Sequence, residues 1–170
     1  MLSLFNFFVD LCLLRKAPQD LPASPVLFAL VLLANLMLGT LGILDVFAVD
    51  KAMLAVVTDA LLMLVLLRMA LLLKQHGERF MQTATAILGA GIVLTLLAFP
   101  LQIGLQENMA ETAFGTIASL AYLMLILWIQ LVIGHILRHA LQVSLTLGIG
   151  LAFTYSVISS TLVQYLFLDV

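Results

Sequence analysis

Five long apolar runs divide the chain, and each is long enough to cross a lipid bilayer. They cover approximately residues 26–44, 52–73, 80–105, 112–137 and 140–168. About 20 apolar residues in a helix span the hydrocarbon core of a membrane. Helices are predicted because every backbone donor and acceptor must be satisfied inside hydrocarbon. The predicted fold class is all-α: a polytopic transmembrane bundle of five spans, forming one domain over residues 25–170.

The first 24 residues follow a different pattern, with apolar side chains at three- and four-residue spacing and polar ones elsewhere. The apolar stripe consists of Leu4, Phe7, Phe8, Leu11 and Leu14. The segment is too short to span, and its positive charges follow the apolar run, whereas those of a secretory signal precede it. We predict an amphipathic interfacial helix, ended by prolines at positions 18, 22 and 25. Its apolar face contacts either lipid or the protein's own spans.

Composition leads to the same class of protein. Of the 170 residues, 64% are apolar and 9% charged, whereas soluble chains carry about half apolar and a quarter charged residues. A soluble domain of this size has too little interior to bury so much apolar surface. The bilayer is therefore a predicted partner. The net charge of -2 includes no basic tract for nucleic acid, and the single cysteine, Cys12, excludes an internal disulfide.

The charged residues predict an orientation. Six of the seven Lys and Arg residues lie beside alternate ends of the spans, on one predicted side: Arg15, Lys16, Arg68, Lys74, Arg79 and Arg138. Only Lys51 lies on the other side. By the positive-inside rule, the N-terminus is predicted to be cytoplasmic and the C-terminus outside. The short loops favour a bacterial inner membrane. Topogenic charge explains this inner basic fringe, which can also gather anionic headgroups.

A regular row of small residues lies in the fifth run. Its members recur at four-residue intervals: Ser144, Gly148, Ala152, Ser156 and Ser160. Lipid gives helices no hydrophobic reason to associate, so small residues that let backbones approach closely must supply the contact. We predict that this row packs against another span of the same protein. A second copy or a partner's helix is the alternative.

Asp59 is the acidic residue that the pattern places deepest in a span. It lies eight positions into the second run, about 12 Å from its outer end. The residues predicted at a similar depth on other helices bear hydroxyl groups: Thr95, Tyr122, Thr154 and Tyr155. Together they predict one of two arrangements. The first is a proton or cation pathway, and the second is a polar packing knot, in which a protonated carboxyl is hydrogen-bonded between helices. We favour the knot, because one acid without a second charged partner makes a poor relay.

Three histidines raise the question of a metal. His135 and His139 have the i, i+4 spacing of a helical ligand pair, and His76 lies in an inner loop. No carboxylate or cysteine is arranged to complete the set, and Arg138 would repel a cation. We favour histidines that contact headgroups and expect neither a metal nor a cofactor. No catalytic motif is present, so the chain is not expected to be an enzyme.

Several local features accompany the five predicted spans and the cytoplasmic N-terminal segment. They are the entry to the third span, GERFMQTATAILGAG, the passage LILWIQLVIGHILRHAL, and a terse outward C-terminus. The arrangement from residue 25 onward resembles the Yip family of small five-span membrane proteins. The resemblance implies a role in membrane organisation, trafficking or complex assembly, without catalysis.

The predicted function is that of an interaction or scaffolding subunit, which assists the assembly or organisation of another membrane component. Its partner would be another membrane protein or a second copy of the chain. Short loops, the lack of a catalytic set and the small-residue row favour this interpretation. The alternative is a small transporter or permeability factor built around Asp59.

Overall fold

The computed structural model describes residues 2–106 and 112–167, which contain helices and short connections but no strand. The six α-helices are α1 (Leu2–Cys12), α2 (Pro25–Leu41), α3 (Val49–Leu73), α4 (Phe80–Gly104), α5 (Ala113–Leu141) and α6 (Leu145–Phe167). Two short 3₁₀ helices, Pro18–Asp20 and Gly77–Arg79, precede α2 and α4. In the predicted topology Glu107, Glu111 and Asp169 face outward, but they lie outside the described residues. The all-α fold class is confirmed for the part of the chain described.

Helix length and composition support an integral membrane protein. Among the described residues, four helices are long and apolar enough to cross a membrane: α3, α4, α5 and α6. The predicted first span is shorter, because α2 contains 17 residues and ends at Leu41. Gly42, a poor helix former, follows directly, and the chain turns there instead of continuing to residue 44. At the other end of α2, Ser24 Oγ accepts a hydrogen bond from Leu27 N, and Pro25 occupies the first helical turn.

The boundary between the fourth and fifth predicted spans requires a correction. Arg138 and His139 were placed in a connection, but they form the last turn of α5, where basic side chains interact favourably with the helix dipole. The helix ends at Gln142, which adopts a left-handed conformation with φ of 54°. Ser144 then caps α6, accepting a hydrogen bond from Leu147 N over 3.3 Å.

Five helices form a closed ring. Going around it, α2 packs against α3, α3 against α6, α6 against α5, α5 against α4, and α4 against α2. α4 is the most enclosed, because α1 and the first 3₁₀ helix also cover it. Buried residues extend along its first half, from Thr83 to Ala90. The first half of α4 is therefore tightly packed on several sides, and the space described below lies beside its middle and second half.

Most of the basic residues gather at one end of the ring, which we call the basic end. It comprises the starts of α2, α4 and α6 and the ends of α3 and α5. Gln82 Nε2 donates to Leu21 O over 2.6 Å, and Gln19 Nε2 donates to His139 O over the same distance. Arg79 Nη1 also donates to His139 O, over 3.4 Å. These bonds tie the N-terminal segment to the ends of two long helices.

The predicted apolar stripe of α1 packs on the protein's own helices. Phe8 and Leu11 are buried, and the other three stripe residues contact the same core. The Phe8 ring lies where a Cβ on Gly89 would be, and Trp128 Nε1 donates to Cys12 O over 3.1 Å. Of the two alternatives for this face, the contacts favour the intramolecular one. Burial raises the pKa of the Cys12 thiol to about 11.

The small-residue row of α6 faces α5 along much of its length. Gly148 lies directly against Gly134 O, and Ala152 is fully buried. Ser156 and Gln130 are joined by hydrogen bonds of 3.0 and 3.3 Å. Ser160, at the far end, is exposed and donates to Val157 O of its own helix. Contact within the protein therefore uses the centre of the row, as close packing between membrane helices requires.

Candidate functional site

A cavity of about 530 Å³ lies inside the ring, and all five ring helices contribute to its wall. The space exists because small residues occur where the helices face each other. Gly39 lies on α2, Ala55 on α3, Gly91 and Ala98 on α4, and Ser159 on α6. Its volume lies within the range of sites that hold small molecules, about 300–1,000 Å³.

Asp59 is part of the cavity wall, about 15 Å along α3 from its first residue. Tyr155 Oη donates to Asp59 Oδ1 over 2.5 Å, and Ser159 Oγ donates to the same oxygen. Tyr155 Oη also lies 3.3 Å from the backbone oxygen of Asp59. Asp59 Oδ2 accepts no hydrogen bond among residues 2–106 and 112–167, and it is not a buried orphan atom. One carboxyl oxygen is therefore held by hydroxyl groups and the other is left available.

Apart from Asp59, the described residues of the cavity wall carry no charge. The residues that line it, as far as the chain is described, include no lysine, arginine or histidine, and the other titratable ones are Tyr122 and Tyr155. Amide side chains are present, but both bridge helices. Asn35 Nδ2 donates to Leu88 O and Gln102 Nε2 to Gly42 O, each over 3.1 Å. An ionised carboxylate here meets no compensating positive charge among the described lining residues.

A second space of about 230 Å³ adjoins the first and shares part of its lining. The shared residues are Gly42, Ile43, Gln102 and Tyr122. The exposed Asp45 lines this second space. It lies in the connection between α2 and α3, at the end of the ring opposite the basic end. The two spaces together extend from the interior carboxyl towards that opposite end.

The structure brings together most of the predicted hydroxyl ring. Thr95 and Tyr122 line the cavity, and Tyr155 bonds directly to Asp59. Thr154 does not join them, because its side chain is exposed and donates to Gly150 O over 2.9 Å. Thr154 was assigned to the hydroxyl ring because of its predicted depth in the membrane. Its position around the axis of α6 points its side chain away from Asp59.

Sequence reasoning missed Ser159, Asn35 and Gln102. Ser159 follows Tyr155 by four residues and therefore shares its helix face, so helical spacing was a usable signal. The two amides had no comparable signal, because only the packing of α2 against α4 brings them to the cavity.

The three histidines lie in two separate places. The rings of His135 and His139 meet edge to face at 4.6 Å, and His135 Nε2 lies 3.0 Å from Lys16 O. His76 lies apart, with Nδ1 3.9 Å from Glu78 Oε1. Within the described ranges, no three residues of the types that ligate metals form a group that could hold one. His135 instead helps to fasten the N-terminal segment to α5.

The inner basic fringe is largely at the surface. Lys74 and Arg138 are exposed, and Lys16 Nζ lies 6.0 Å from the centre of the Phe7 ring. Arg68 Nη1 donates to Gly77 O over 3.2 Å. Arg15 forms a loose pair with Asp10 at 3.9 Å. These contacts are weak or solvated, so the exposed lysines and arginines remain accessible to headgroups, whereas Arg79 is half-buried.

Comparison of the chain with protein-family models, with curated proteins and with solved structures finds no match in any of the three. The function is therefore inferred from the cavity and its residues.

Proposed function

We propose that this protein is a small transporter or permeability factor that admits a small polar solute into the membrane at Asp59. The observation that carries the proposal is the cavity of about 530 Å³ inside the helix ring, with Asp59 in its wall. An acidic residue within a membrane segment is a functional-site hypothesis by default. Membrane transporters place their substrate sites near the bilayer midplane, between helices.

The proposed topology has five spans, with the basic end in the cytoplasm and the opposite end outside. The six basic residues of the inner fringe support this orientation through the positive-inside rule. With 17 residues, α2 is at the lower limit of about 17 for a span. In this orientation Asp45 faces outward, and the solute enters from outside. A bacterial inner membrane is the proposed location.

The arrangement around Asp59 supports solute binding over a sealed packing knot. In a knot, the carboxyl would use both oxygens in contacts between helices. Here Tyr155 and Ser159 both donate to Oδ1, and Oδ2 is left for a ligand or water.

Thiol accessibility tests whether the cavity is open to water. In a Cys12→Ser background, we expect Thr95→Cys to react with a positively charged, membrane-impermeant methanethiosulfonate reagent, because Thr95 lines the cavity. The matched control is Leu97→Cys, two residues along α4 on an exposed apolar face, which lipid should protect. Equal protection of both cysteines from the reagent would contradict the proposal.

Vesicle swelling tests passage itself. Vesicles containing the purified protein are exposed to isosmotic gradients of methylammonium chloride, potassium chloride, urea or glycerol, and light scattering follows solute entry. We expect one of these solutes to enter about tenfold more slowly through Asp59→Asn, which keeps the side-chain shape but removes the charge, because one charge-assisted hydrogen bond is worth at least about 1.5 kcal/mol. Identical swelling curves for wild type, Asp59→Asn and empty vesicles with every solute would refute the proposal.

The second candidate is the interaction or scaffolding subunit, which the Yip-like resemblance also implies. The specific observation in its favour is an exposed small face on α6. A Cβ on Gly150 would meet nothing within 4 Å, and Thr154 on the next turn is exposed. Purification from native membranes in mild detergent, followed by mass spectrometry, should then yield a stoichiometric protein partner that Gly150→Leu releases. Wild-type protein recovered without a partner, at the size of one chain, would sink this candidate.

A further inference from the structure

We propose that the solute bound at Asp59 is a small organic ammonium: a primary or secondary amine with one positive charge and a compact apolar body. This inference rests on the proposed function and specifies its substrate class. It depends on the charge of the described cavity wall, the available oxygen of Asp59, the size of the cavity and the second carboxylate in the adjoining space.

The negative charge of the cavity wall favours a positively charged solute. Asp59 is the acidic residue in the wall of the larger cavity, and the described lining residues offer no positive side chain. An anion would meet an unpaired carboxylate in a poorly screened environment. Among the described residues, the adjoining space adds Asp45 and no basic residue, so a solute that approaches from that end meets negative charge at both stages. Like-signed groups along a cleft concentrate ions of the opposite sign.

The ligand oxygens argue against a bare metal ion. Mg²⁺ and Ca²⁺ need six or more oxygen ligands, usually with more than one carboxylate. The cavity provides one carboxyl, and Tyr155 and Ser159 already donate to its Oδ1. The amide nitrogens of Asn35 and Gln102 bind backbone oxygens, so these residues offer neutral amide oxygens but no second carboxylate. An ammonium group needs only a few acceptors, and Asp59 Oδ2 supplies one that is charged.

Size and polarity argue for an organic molecule. A space of about 530 Å³ is far larger than one water, which occupies about 30 Å³ in the liquid. Much of the wall is apolar, including Met63, Leu94 and Ile129, and would contact a hydrocarbon body. Tyr122 and Tyr155 also line it, and aromatic faces attract cations. An apolar wall with a few convergent polar groups is the usual form of a small-molecule site.

The test uses the full chain in detergent, with 2-phenylethylammonium chloride as the probe and thermal unfolding as the measurement. The control ligand is 2-phenylethanol, which has the same body with a neutral hydroxyl, and potassium chloride controls for ionic strength. We expect the ammonium to raise the Tm in a dose-dependent way, because a ligand that binds the folded state stabilises it by mass action. The alcohol and the salt should not raise it at the same concentrations.

Two variants tie the effect to the site. Asp59→Asn should weaken ammonium binding by about 10- to 100-fold, the fold-change of one lost charge-assisted hydrogen bond. Because that variant also changes the contacts of Tyr155, Thr95→Leu provides a second test, which keeps the carboxyl and fills part of the cavity. Thr95→Leu should weaken binding similarly, whereas Leu97→Ala on the lipid-facing side should leave it unchanged.

The outcomes separate this inference from the proposed function. A Tm shift specific to the ammonium and lost in both cavity variants supports the inference. Equal shifts with the alcohol or the salt, or a shift that both cavity variants retain, would overturn it. If Thr95→Cys still reacts with the water-soluble thiol reagent in that case, the proposed function stands and only the substrate class is wrong. If Thr95→Cys is protected, both fail.

Discussion

Two glycines bring the backbones of α5 and α6 together, and their replacement gives the sharpest test of the packing. A Cβ on Gly148 would overlap Gly134 O and would lie 3.2 Å from Gly134 C and 3.3 Å from Arg138 N. All three are backbone atoms, so no side-chain rotation can relieve the overlap. Gly148→Ala must therefore push the two helices apart.

The magnitude follows from the geometry. Overpacking typically costs about 1–3 kcal/mol, and a gap of about 0.5–1 Å removes a quarter to a half of each dispersion contact. Since helices in lipid associate largely through such contacts, we expect Gly148→Ala to lose about 2–3 kcal/mol of unfolding free energy. Gly150→Ala is the matched control, because a Cβ there meets nothing within 4 Å. It should be neutral or gain up to about 1 kcal/mol of helix stability.

The assay is equilibrium unfolding in mixed micelles, with a denaturing detergent as the titrant. Trp128 is the one tryptophan of the chain, so its fluorescence reports on α5 without added labels. We expect a lower unfolding midpoint for Gly148→Ala and an unchanged or higher one for Gly150→Ala. Equal midpoints for the two variants would refute the argument that backbone contact at Gly148 holds α5 and α6 together.

Other predictions concern the attachment of α1. Because its pKa is raised to about 11, the Cys12 thiol should react with maleimide at pH 8 about 100-fold more slowly than the thiol of Glu78→Cys, at an exposed position, in a Cys12→Ser background. The Cys12 rate should rise as the pH approaches 11, and equal rates for the two thiols at pH 8 would contradict the burial of Cys12. Trp128→Phe removes the hydrogen bond to Cys12 O and should lower the unfolding free energy by about 1 kcal/mol, measured by detergent titration with circular dichroism; an unchanged midpoint would contradict this role. Gly89→Ala places a methyl group against the Phe8 ring and should speed Cys12 labelling by loosening α1; an unchanged rate would show that the ring yields without cost.

Several features were predictable because they depend on residues close together in the chain. Apolar runs and charge spacing predicted a helical membrane protein, and four-residue spacing identified the α6 face that carries Gly148 and Ala152. Asp59 was recognisable because a carboxyl within an apolar run is costly unless it has a partner. A local signal for the first cap was present but not used, since Ser24 directly before Pro25 begins α2.

Other features could not be predicted locally. The end of α5 lies beyond Arg138 because the stability of a last helical turn depends on capping at Gln142, which hydropathy does not report. The contact face of α1 was ambiguous, because lipid and an apolar helix surface select the same stripe. Packing against Gly89 and the bond from Trp128 favour the protein's own helices.

The sequence by itself determined that this is a membrane protein, that its fold class is helical and that one carboxyl lies within an apolar span. Each of these depends only on composition and spacing along the chain. Only the tertiary structure decided that the helices close into a ring and that Asp59 faces a cavity. It also decided that Tyr155 and Ser159 hold one oxygen of that carboxyl. The physical reason is that a cavity is defined by the positions of several helices at once, and depth along each helix leaves its rotation about its own axis undetermined. Thr154 and Tyr155 are adjacent in the chain, yet only Tyr155 reaches Asp59.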